Sequence, residues 1–332
     1  MCDCDYVLPT KDGLEKHYDN CKLIWERRYG KQCPRNNDGT LRLCNANLSK
    51  LKTDYIYHLG FDTQTHNLPA LFGDVKFVCM GGTKHRMRDF AKYIAQVLKI
   101  SNCNFKNMTK QTHRYAMYKV GPVLSVSHGI GIPSMTILLQ EILKLLHYAN
   151  ANNPIVFRIG TSGGLKIPPG SVVISSWGMN GTLQKSYDIP VLGKIRQFPS
   201  FFDKRLCQEI QSLVSDVGFD TYIGGTMAAD DFYRGQARLD GPFCDHSEED
   251  KLSFLHTLAD LGVRNIEMEA TAFAAITSEA GVRAADVCVT LLNRLEGDQV
   301  TLSKAMYAEY QVRPMVVVGK YIAKYYEANH KL

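Results

Sequence analysis

The sequence has no long apolar run and no strong excess of either charge. None of its 332 residues lies in a run of the roughly 20 consecutive apolar residues that a membrane-spanning helix needs, so we expect no membrane association. Residues 1–5 are acidic, whereas a secretory signal would be basic and then apolar, so we expect a cytosolic location. The net charge of +6 suits anionic ligands, but it is too small and too scattered to indicate nucleic-acid binding.

The composition is that of a soluble globular protein. Apolar residues make up 45% of the chain and charged residues 22%, and the length suits one large or two medium domains. In the reducing cytosol the ten cysteines are expected to be thiols or metal ligands and not disulfides.

The amino terminus differs in composition from the rest of the chain, since five of the ten cysteines fall within its first 44 residues. Residues 1–29 resemble an isolated zinc finger with a structural zinc ion and the ligands Cys2, Cys4, His17 and Cys21. A single residue separates the first two cysteines, where two to four are usual. The alternative is a tail of reduced cysteines. A lone finger buries too little surface for tight sequence-specific nucleic-acid binding, which favours a protein contact or a structural appendage.

Residues 30–46 are interpreted as a linker because they begin with a segment rich in Pro, Asn, Asp and Gly. From about residue 70 the pattern alternates between short apolar strands and amphipathic helices. Strands are predicted at 75–80, 115–118, 123–126, 155–159, 171–175, 221–224 and 284–292, and helices at 87–98, 135–149, 204–217, 248–261 and 268–279. This alternation predicts an α/β layered fold with a largely parallel sheet, whose ligands collect at the carboxyl ends of the strands.

The stretch 155–164 carries the main functional signal. It begins as an apolar strand that contains Arg158, a charge that is costly to bury without hydrogen bonds. The small residues 160–164 follow, and we interpret them as a turn whose N–H groups and hydroxyls could bind an anion together with Arg158. The competing interpretation is that Arg158 only pairs with a structural carboxylate.

Three further clusters lie near predicted strand ends. Arg86 and Arg114 could join Arg158 in a clamp for phosphate, although such arginines are more often surface residues. Gln236 and Arg238 would face the same side of an extended segment, where an amide and a guanidinium match the edge of a pyrimidine, with Phe232 available to stack. The alternative is an exposed polar loop. Glu267, Met268 and Glu269 could contact a sugar, or they could simply begin an acidic helix N-terminus.

Together, in this order, these clusters resemble the uridine phosphorylases of the nucleoside phosphorylase family, and the animal branch more than the bacterial one. The likeness runs from about residue 47 to the carboxyl terminus. It is densest at 71–78, at 114–129, at Arg158-Ile159-Gly160-Thr161-Ser162-Gly163-Gly164 and at 291–299. The resemblance implies one catalytic domain, 47–332, with a three-layer αβα nucleoside-phosphorylase-like fold around a mixed, largely parallel central sheet.

The resemblance also implies the roles of individual residues. It assigns phosphate to Gly82, Arg86, Arg158 and Thr161, and to Arg114 from a neighbouring subunit. It assigns uracil to Gln236 and Arg238 with Phe232 and Arg294 beside them, and ribose to Glu267, Met268 and Glu269, with His58 from the neighbouring subunit. At least a dimer is then required. Bacterial members use a glutamate for an interfacial potassium where this chain has Tyr115, so we predict no potassium.

The implied reaction is reversible phosphorolysis of uridine to uracil and ribose 1-phosphate, in pyrimidine salvage or catabolism, with phosphate as co-substrate and no cofactor. Arg238, Gln236 and Glu269 are the predicted catalytic residues. The sequence does not rank uridine, 2′-deoxyuridine and thymidine as substrates. Three alternatives remain: a nucleoside hydrolase, a purine phosphorylase, and a catalytically retired fold that acts as a binding or regulatory protein through its finger. The intact arginines argue against the hydrolase and the retired fold, and Asn293-Arg294 argues against the purine enzyme.

Overall fold

A computed structural model describes residues 35–329 of the chain. The zinc ligands predicted at Cys2, Cys4, His17 and Cys21 lie outside the described residues. Within residues 35–329 there is no group of three or more His, Cys, Asp or Glu side chains that could hold a metal ion. No helix of this described part combines the length and the hydropathy that crossing a bilayer takes.

The described chain contains twelve strands and seven α-helices. The strands are β1 Tyr55–Ile56, β2 Phe61–Asp62, β3 Phe77–Gly81, β4 Ala116–Val120, β5 Val123–Ser127, β6 Ile155–Gly164, β7 Val172–Met179, β8 Ser186–Val191, β9 Lys194–Pro199, β10 Thr221–Ala228, β11 Val263–Glu267 and β12 Arg283–Asn293. The helices are α1 Leu68–Phe72, α2 Lys84–Val97, α3 Ile132–Tyr148, α4 Lys204–Ser212, α5 Glu248–Asp260, α6 Ala270–Glu279 and α7 Lys304–Asn329.

Eight strands form the central mixed sheet, in the order β11-β10-β7-β12-β6-β3-β5-β4. Strands β5, β3, β6 and β12 run parallel, whereas β4 and β7 run antiparallel to their neighbours β5 and β12. One group of helices, α2, α4 and α7, packs together, and a second group, α1, α3 and α6, packs together as well. Both groups contact the sheet through apolar faces. In α2, for example, Met87, Phe90, Ala91 and Ile94 are buried at helical spacing.

The carboxyl end of β6 closes part of this sheet into a ring. Gly163 and Gly164 pair with β11, so that β6, β11, β10, β7 and β12 follow one another around a closed circuit. Residues 160–164 therefore continue the strand, and the prediction that they form a turn was wrong. Residues 160–162 pair with β12, and Gly163 and Gly164 pair with β11, so sheet pairing uses backbone groups that a turn would have left unpaired.

Other element boundaries also differ from the sequence prediction. Strands β7 and β10 extend to Met179 and Ala228, while α4 ends already at Ser212. The hairpin β8–β9 was not predicted, and β11 was predicted only as a strand end near Glu267. The described part of the segment interpreted as a linker contacts the domain, since Leu41 is buried and its N–H bonds to the Ala151 carbonyl at 3.1 Å.

The closed circuit of strands is filled by a chain of polar side chains. Asn265 Nδ2 donates to Ser162 Oγ at 3.0 Å, and Asn265 Oδ1 accepts from Thr226 Oγ1 at 2.7 Å. Thr226 is 2.6 Å from Ser175 Oγ, which reaches Asp286 Oδ2 at 3.3 Å. All five residues are buried. Because each strand of the circuit contributes one member, these hydrogen bonds connect all five strands through their side chains.

The polar chain leads to a stability prediction. Asn265→Ala removes two buried hydrogen bonds and leaves a small cavity, so we expect the free energy of unfolding to fall by about 2–3 kcal/mol. Gln208→Ala, which truncates an exposed amide on α4, is the control and should change it by less than about 0.5 kcal/mol. Equal denaturation midpoints for the two variants would contradict the structural importance of the polar chain.

Candidate active site

Arg158 lies at the centre of a buried cluster of charges. Its Nη1 is 2.8 Å from Asp286 Oδ1 and 2.8 Å from Glu267 Oε2, and its Nη2 contacts Glu269 Oε2. The four side chains are at most 5% exposed. Strand pairing explains part of this geometry, since β6 and β12 are parallel with Arg158 directly opposite Asp286. The two glutamates come from the end of β11 and the residue before α6.

The charges of this cluster change its pKa values. Burial opposes the positive charge of Arg158, but Asp286, Glu267 and Glu269 outweigh it and raise the pKa of the guanidinium further. Burial raises the pKa of Glu267 well above its usual range. Burial also acts to raise the pKa of Glu269, but Arg158, His128 and the hydrogen bond from Gly131 N together lower it. Of these two glutamates, Glu267 is the one that more readily accepts a proton.

Gly160 makes room for the Arg158 side chain. A Cβ atom at this position would lie 2.7 Å from Cys288 Sγ and 3.2 Å from Arg158 Nη1. The guanidinium therefore folds back over the backbone of its own strand, where only glycine leaves enough space. Thr161, the next residue, is half-buried and lies opposite Val289 of β12.

The carboxyl end of β3 places Gly82 and Arg86 beside this cluster. Thr83 Oγ1 caps α2 by accepting from the Arg86 N–H at 3.3 Å, which fixes Arg86 in the first helical turn. Burial lowers the pKa of Arg86. The charge of Arg158 acts in the same direction, and the charge of Glu269 acts to raise this pKa. Arg86 Nη2 donates to Gln311 Oε1 of α7 at 3.0 Å, a partner that the sequence did not indicate.

The turn after β5 completes this side of the site. Gly131 N donates to Glu269 Oε1 at 2.5 Å, and its φ of 84° is a conformation that favours glycine. This glycine-containing turn opens α3, the helix predicted at 135–149. The turn therefore holds one carboxylate oxygen of Glu269 while Arg158 holds the other.

His128, at the beginning of this turn, is a site residue that sequence reasoning missed. It is 1% exposed, and neither ring nitrogen has a hydrogen-bond partner among the described residues. Burial, the largest cause, lowers its pKa to about 4, with Glu269 acting to raise the pKa and Arg158 and Arg86 to lower it. Its position directly after β5 and before a glycine was the available signal.

Phe232, Gln236, Arg238 and Arg294 form a second polar pocket. Arg238 makes a two-pronged contact with Asp240, through Nε at 2.8 Å and Nη2 at 2.7 Å, and its guanidinium carbon lies 4.4 Å from the Phe232 ring centroid. The prediction that this segment is extended was wrong. Residues Arg234–Gln236 form a 3₁₀ turn and Ala237 is left-handed, with φ of 53°. Gln236 and Arg238 are both buried, but through this turn and not through strand alternation.

Arg294 orients Gln236 through two hydrogen bonds. It is 1% exposed and donates from Nη2 to the Gln236 carbonyl at 2.8 Å and from Nη1 to Gln236 Oε1 at 3.3 Å. Asp298, which also pairs with Lys251 at 3.0 Å, holds the other side of the guanidinium. A Cβ on Gly163 would lie 2.7 Å from Arg294 Cγ. Strand β6 therefore contacts both polar pockets, with Arg158 at one and Gly163 at the other.

His58 and Arg114 lie apart from these two pockets. His58 Nδ1 is 2.7 Å from Glu141 Oε1, and its ring is 6.2 Å from the ring of Tyr115. Arg114, adjacent to Tyr115, is exposed and makes no hydrogen bond or ion pair with any described residue. No such contact joins His58 or Arg114 to the Arg158 cluster within residues 35–329. Met268, between the two glutamates, is half-buried.

Comparison with known proteins identifies the family. The family model described as "Phosphorylase superfamily" matches residues 76–322. Uridine phosphorylase 1 of Mus musculus is 47% identical over 87% of this chain and 94% of its own length. The uridine and thymidine phosphorylase of Caenorhabditis elegans is 46% identical over 83% of this chain and 92% of its own. The crystal structure of uridine phosphorylase from Schistosoma mansoni in complex with thymidine has a TM-score of 0.82 and 39% identity, covering 85% of this chain and 98% of that one.

The chain therefore has the nucleoside phosphorylase fold and belongs to the phosphorylase superfamily, which confirms the predicted fold class. Within that superfamily it belongs to the uridine phosphorylase family, whose members are pentosyltransferases. The family also includes a protein named inactive uridine phosphorylase B of Schistosoma mansoni, which is 37% identical over 85% of this chain and 96% of its own length.

The depressed pKa of His128 should make stability depend on pH. The pKa falls from 6.5 to about 4 on folding, so between these values the unfolded state binds more protons. We expect the free energy of unfolding to decrease as the pH falls through this interval, by up to about 3 kcal/mol from this residue.

Chemical denaturation across that pH range tests the expectation. His128→Asn does not titrate there, so its stability should depend less steeply on pH than that of the unmodified protein. Parallel curves for the two proteins would show that His128 is not the group responsible.

Proposed function

We propose that the protein catalyses the reversible phosphorolysis of uridine to uracil and ribose 1-phosphate, as a step in pyrimidine salvage or catabolism. The observation that carries the proposal is the contact of one strand, β6, with two polar pockets. Arg158 on this strand lies at the pocket with Arg86, and Gly163 packs against Arg294 at the pocket with Gln236. A phosphate and a pyrimidine bound to these two pockets would lie on either side of a ribose.

The phosphate site in this proposal consists of Gly82, Arg86, Arg158 and Thr161. Glu269 contacts Arg158 Nη2 in the structure, so a phosphate oxygen would compete with that carboxylate for the same donor. Phosphate binding would then release Glu269 to contact the ribose hydroxyls, beside Glu267 and Met268. This exchange couples the two subsites, because each phosphate that binds frees a ribose ligand.

The uracil site consists of Gln236 and Arg238, with Phe232 stacking and Arg294 behind. Asp240 accepts hydrogen bonds from two of the three guanidinium nitrogens of Arg238. This two-pronged contact fixes the plane of the guanidinium and therefore the direction of the third nitrogen, Nη1. Arg294 similarly fixes the Gln236 side chain. An oriented amide and guanidinium are suited to stabilise negative charge on the uracil oxygens, since their dipoles need no rearrangement as that charge develops.

The chemistry then needs no nucleophile from the protein. A phosphate oxygen attacks C1′ and forms the new C–O bond, while the C1′–N1 bond breaks and its electron pair goes to uracil, which afterwards takes up a proton. The sugar passes through an oxocarbenium-like state that the adjacent phosphate stabilises. Position and charge supply the rate enhancement.

The substrate range is a finer part of the proposal. A relative is named a uridine and thymidine phosphorylase, and a solved relative contains thymidine, which supports the inclusion of thymidine and 2′-deoxyuridine as candidate substrates. The cytosolic location and the structural zinc of the amino-terminal segment remain sequence predictions.

The alternative is a catalytically retired enzyme that acts as a binding or regulatory protein. A relative named as an inactive uridine phosphorylase is a precedent for it. The presence of Arg86, Arg158, Gln236, Arg238 and Glu269 in two packed pockets favours activity. Release of uracil from uridine only when phosphate is added would support the proposal. Phosphate-independent release would indicate a hydrolase, and no release would indicate retirement.

Substitution of Arg238 tests the uracil-stabilising role. Arg238→Ala should lower kcat about a hundredfold, equivalent to about 3 kcal/mol in the barrier, because a charge contact in the transition state is lost. Arg205→Ala, which removes an exposed arginine of α4, is the matched control and should keep full turnover. Near-normal turnover of folded Arg238→Ala would contradict the assignment.

We also propose that the active site is shared in a dimer, with Arg114 and His58 supplied by the partner. The exposure of Arg114 and its lack of partners among the described residues support this arrangement. Electrostatics supports it as well. Arg158 is paired with carboxyl groups of its own chain, so a further positive charge from a partner would strengthen the attraction for a phosphate dianion.

Subunit complementation tests this sharing. Arg114→Ala and Arg238→Ala should each be nearly inactive alone, but co-refolded mixtures should recover about a quarter of the unmodified activity. Half of the randomly formed dimers are then mixed, and each mixed dimer has one intact site of two. An Arg114 that acted within its own chain would give no recovery, because both sites of a mixed dimer would be defective.

A further inference from the structure

His128 has a buried imidazole that the proposed mechanism does not use. Its backbone is fixed on both sides, since its N–H donates to the Gly81 carbonyl at 2.8 Å and its carbonyl accepts from Ser134 Oγ at 2.5 Å. The side chain is 1% exposed, and both ring nitrogens lack a hydrogen-bond partner among residues 35–329. A buried imidazole with two unused nitrogens is costly, because each polar atom loses its hydrogen bonds to water.

The surroundings of His128 indicate what could satisfy it. Three charged groups face it: Glu269, Arg158 and Arg86. The next residue, Gly129, lies against the loop that follows β3, since its carbonyl would be 3.2 Å from a Cβ on Gly82. Gly82 in turn lies beside the guanidinium of Arg86. The imidazole thus lies close enough to Arg158 and Arg86 of the proposed phosphate site to feel their charges, and its own loop contacts Gly82.

We propose that His128 is a further phosphate-binding residue, whose neutral imidazole donates one ring N–H to a phosphate oxygen. The inference rests on the phosphate site proposed above. Two neighbouring arginines offer only donors, so an acceptor-rich ligand is the group that can engage all three side chains at once. A neutral donor adds a hydrogen bond without a further buried positive charge beside Arg158 and Arg86. The low pKa of His128 is consistent with this form.

Steady-state kinetics with phosphate and uridine varied separately tests the role. His128→Ala should raise KM for phosphate about tenfold, the effect of one lost hydrogen bond, and leave KM for uridine within about twofold. His128→Asn keeps an N–H donor and should recover part of the phosphate affinity. His147→Asn is the matched control, since His147 is a partly buried histidine that bonds to the Leu41 carbonyl, and it should leave both constants unchanged.

A second measurement does not depend on turnover. Inorganic phosphate without nucleoside should raise the Tm of the unmodified protein and of His147→Asn, but raise that of His128→Ala distinctly less. If His128→Ala fails to fold, the same two measurements on His128→Asn and His128→Gln decide, with weakened phosphate binding expected of Gln, whose amide is displaced from the ring position.

The outcomes separate the inference from the function on which it rests. A higher KM for uridine alone would make His128 a ribose ligand, and unchanged constants with a lower Tm would make it structural. Either result would overturn the inference while uridine phosphorolysis stands. Uracil release by the unmodified protein that did not depend on phosphate would instead overturn the proposed function.

Discussion

The burial of the Arg158 guanidinium among three carboxylates is the constraint on which the architecture depends. Removing such charges from water costs several kcal/mol for each ion, which only close pairing and hydrogen bonding can offset. The partners come from three separate elements, namely β12, the end of β11 and the start of α6. The sheet therefore has to bring these elements together in one register. A displaced strand would leave an uncompensated charge in the core, which favours the native arrangement over nearby alternatives.

The closed circuit of strands provides that register. Antiparallel pairing of Gly163 and Gly164 with β11 brings Glu267 to the end of β6. The Glu267 carboxylate then accepts hydrogen bonds from the backbone N–H groups of Glu269 and Ala270, at 2.8 and 2.9 Å. These bonds fix the first turn of α6 and hence the position of Glu269. Glycine is needed at both ends of the same stretch, at Gly160 for the guanidinium of Arg158 and at Gly163 for the side chain of Arg294. One short sequence thus fixes sheet closure and two polar pockets.

Sequence periodicity and local chemistry predicted much of the fold. The alternation of apolar strands and amphipathic helices gave the α/β class, and Arg158, Arg86 and Gln236 were identified from their positions near strand ends. The side chains that pair with these residues were not predicted, because they are distant in the chain. Asp286 lies 128 residues from Arg158 and appeared only as part of an apolar strand. The pairing of β11 was not predicted because it depends on tertiary closure, and the hairpin β8–β9 was missed because it is exposed and shows little apolar alternation.

The distribution of charge also supports the proposed dimer, because Arg158 is already paired within its own chain. Arg158 is needed to hold three carboxylates, so its charge is already compensated within the protein, and Arg86 alone faces a dianion. Exposed Arg114 carries a charge that no described residue neutralises, which makes it the available source of additional positive potential. A fold that uses its central arginine to stabilise its own core has to obtain further charge from elsewhere. The proposed sharing of the site between two chains is consistent with this core, because the guanidinium that stabilises the core needs a further positive charge beside it to attract phosphate.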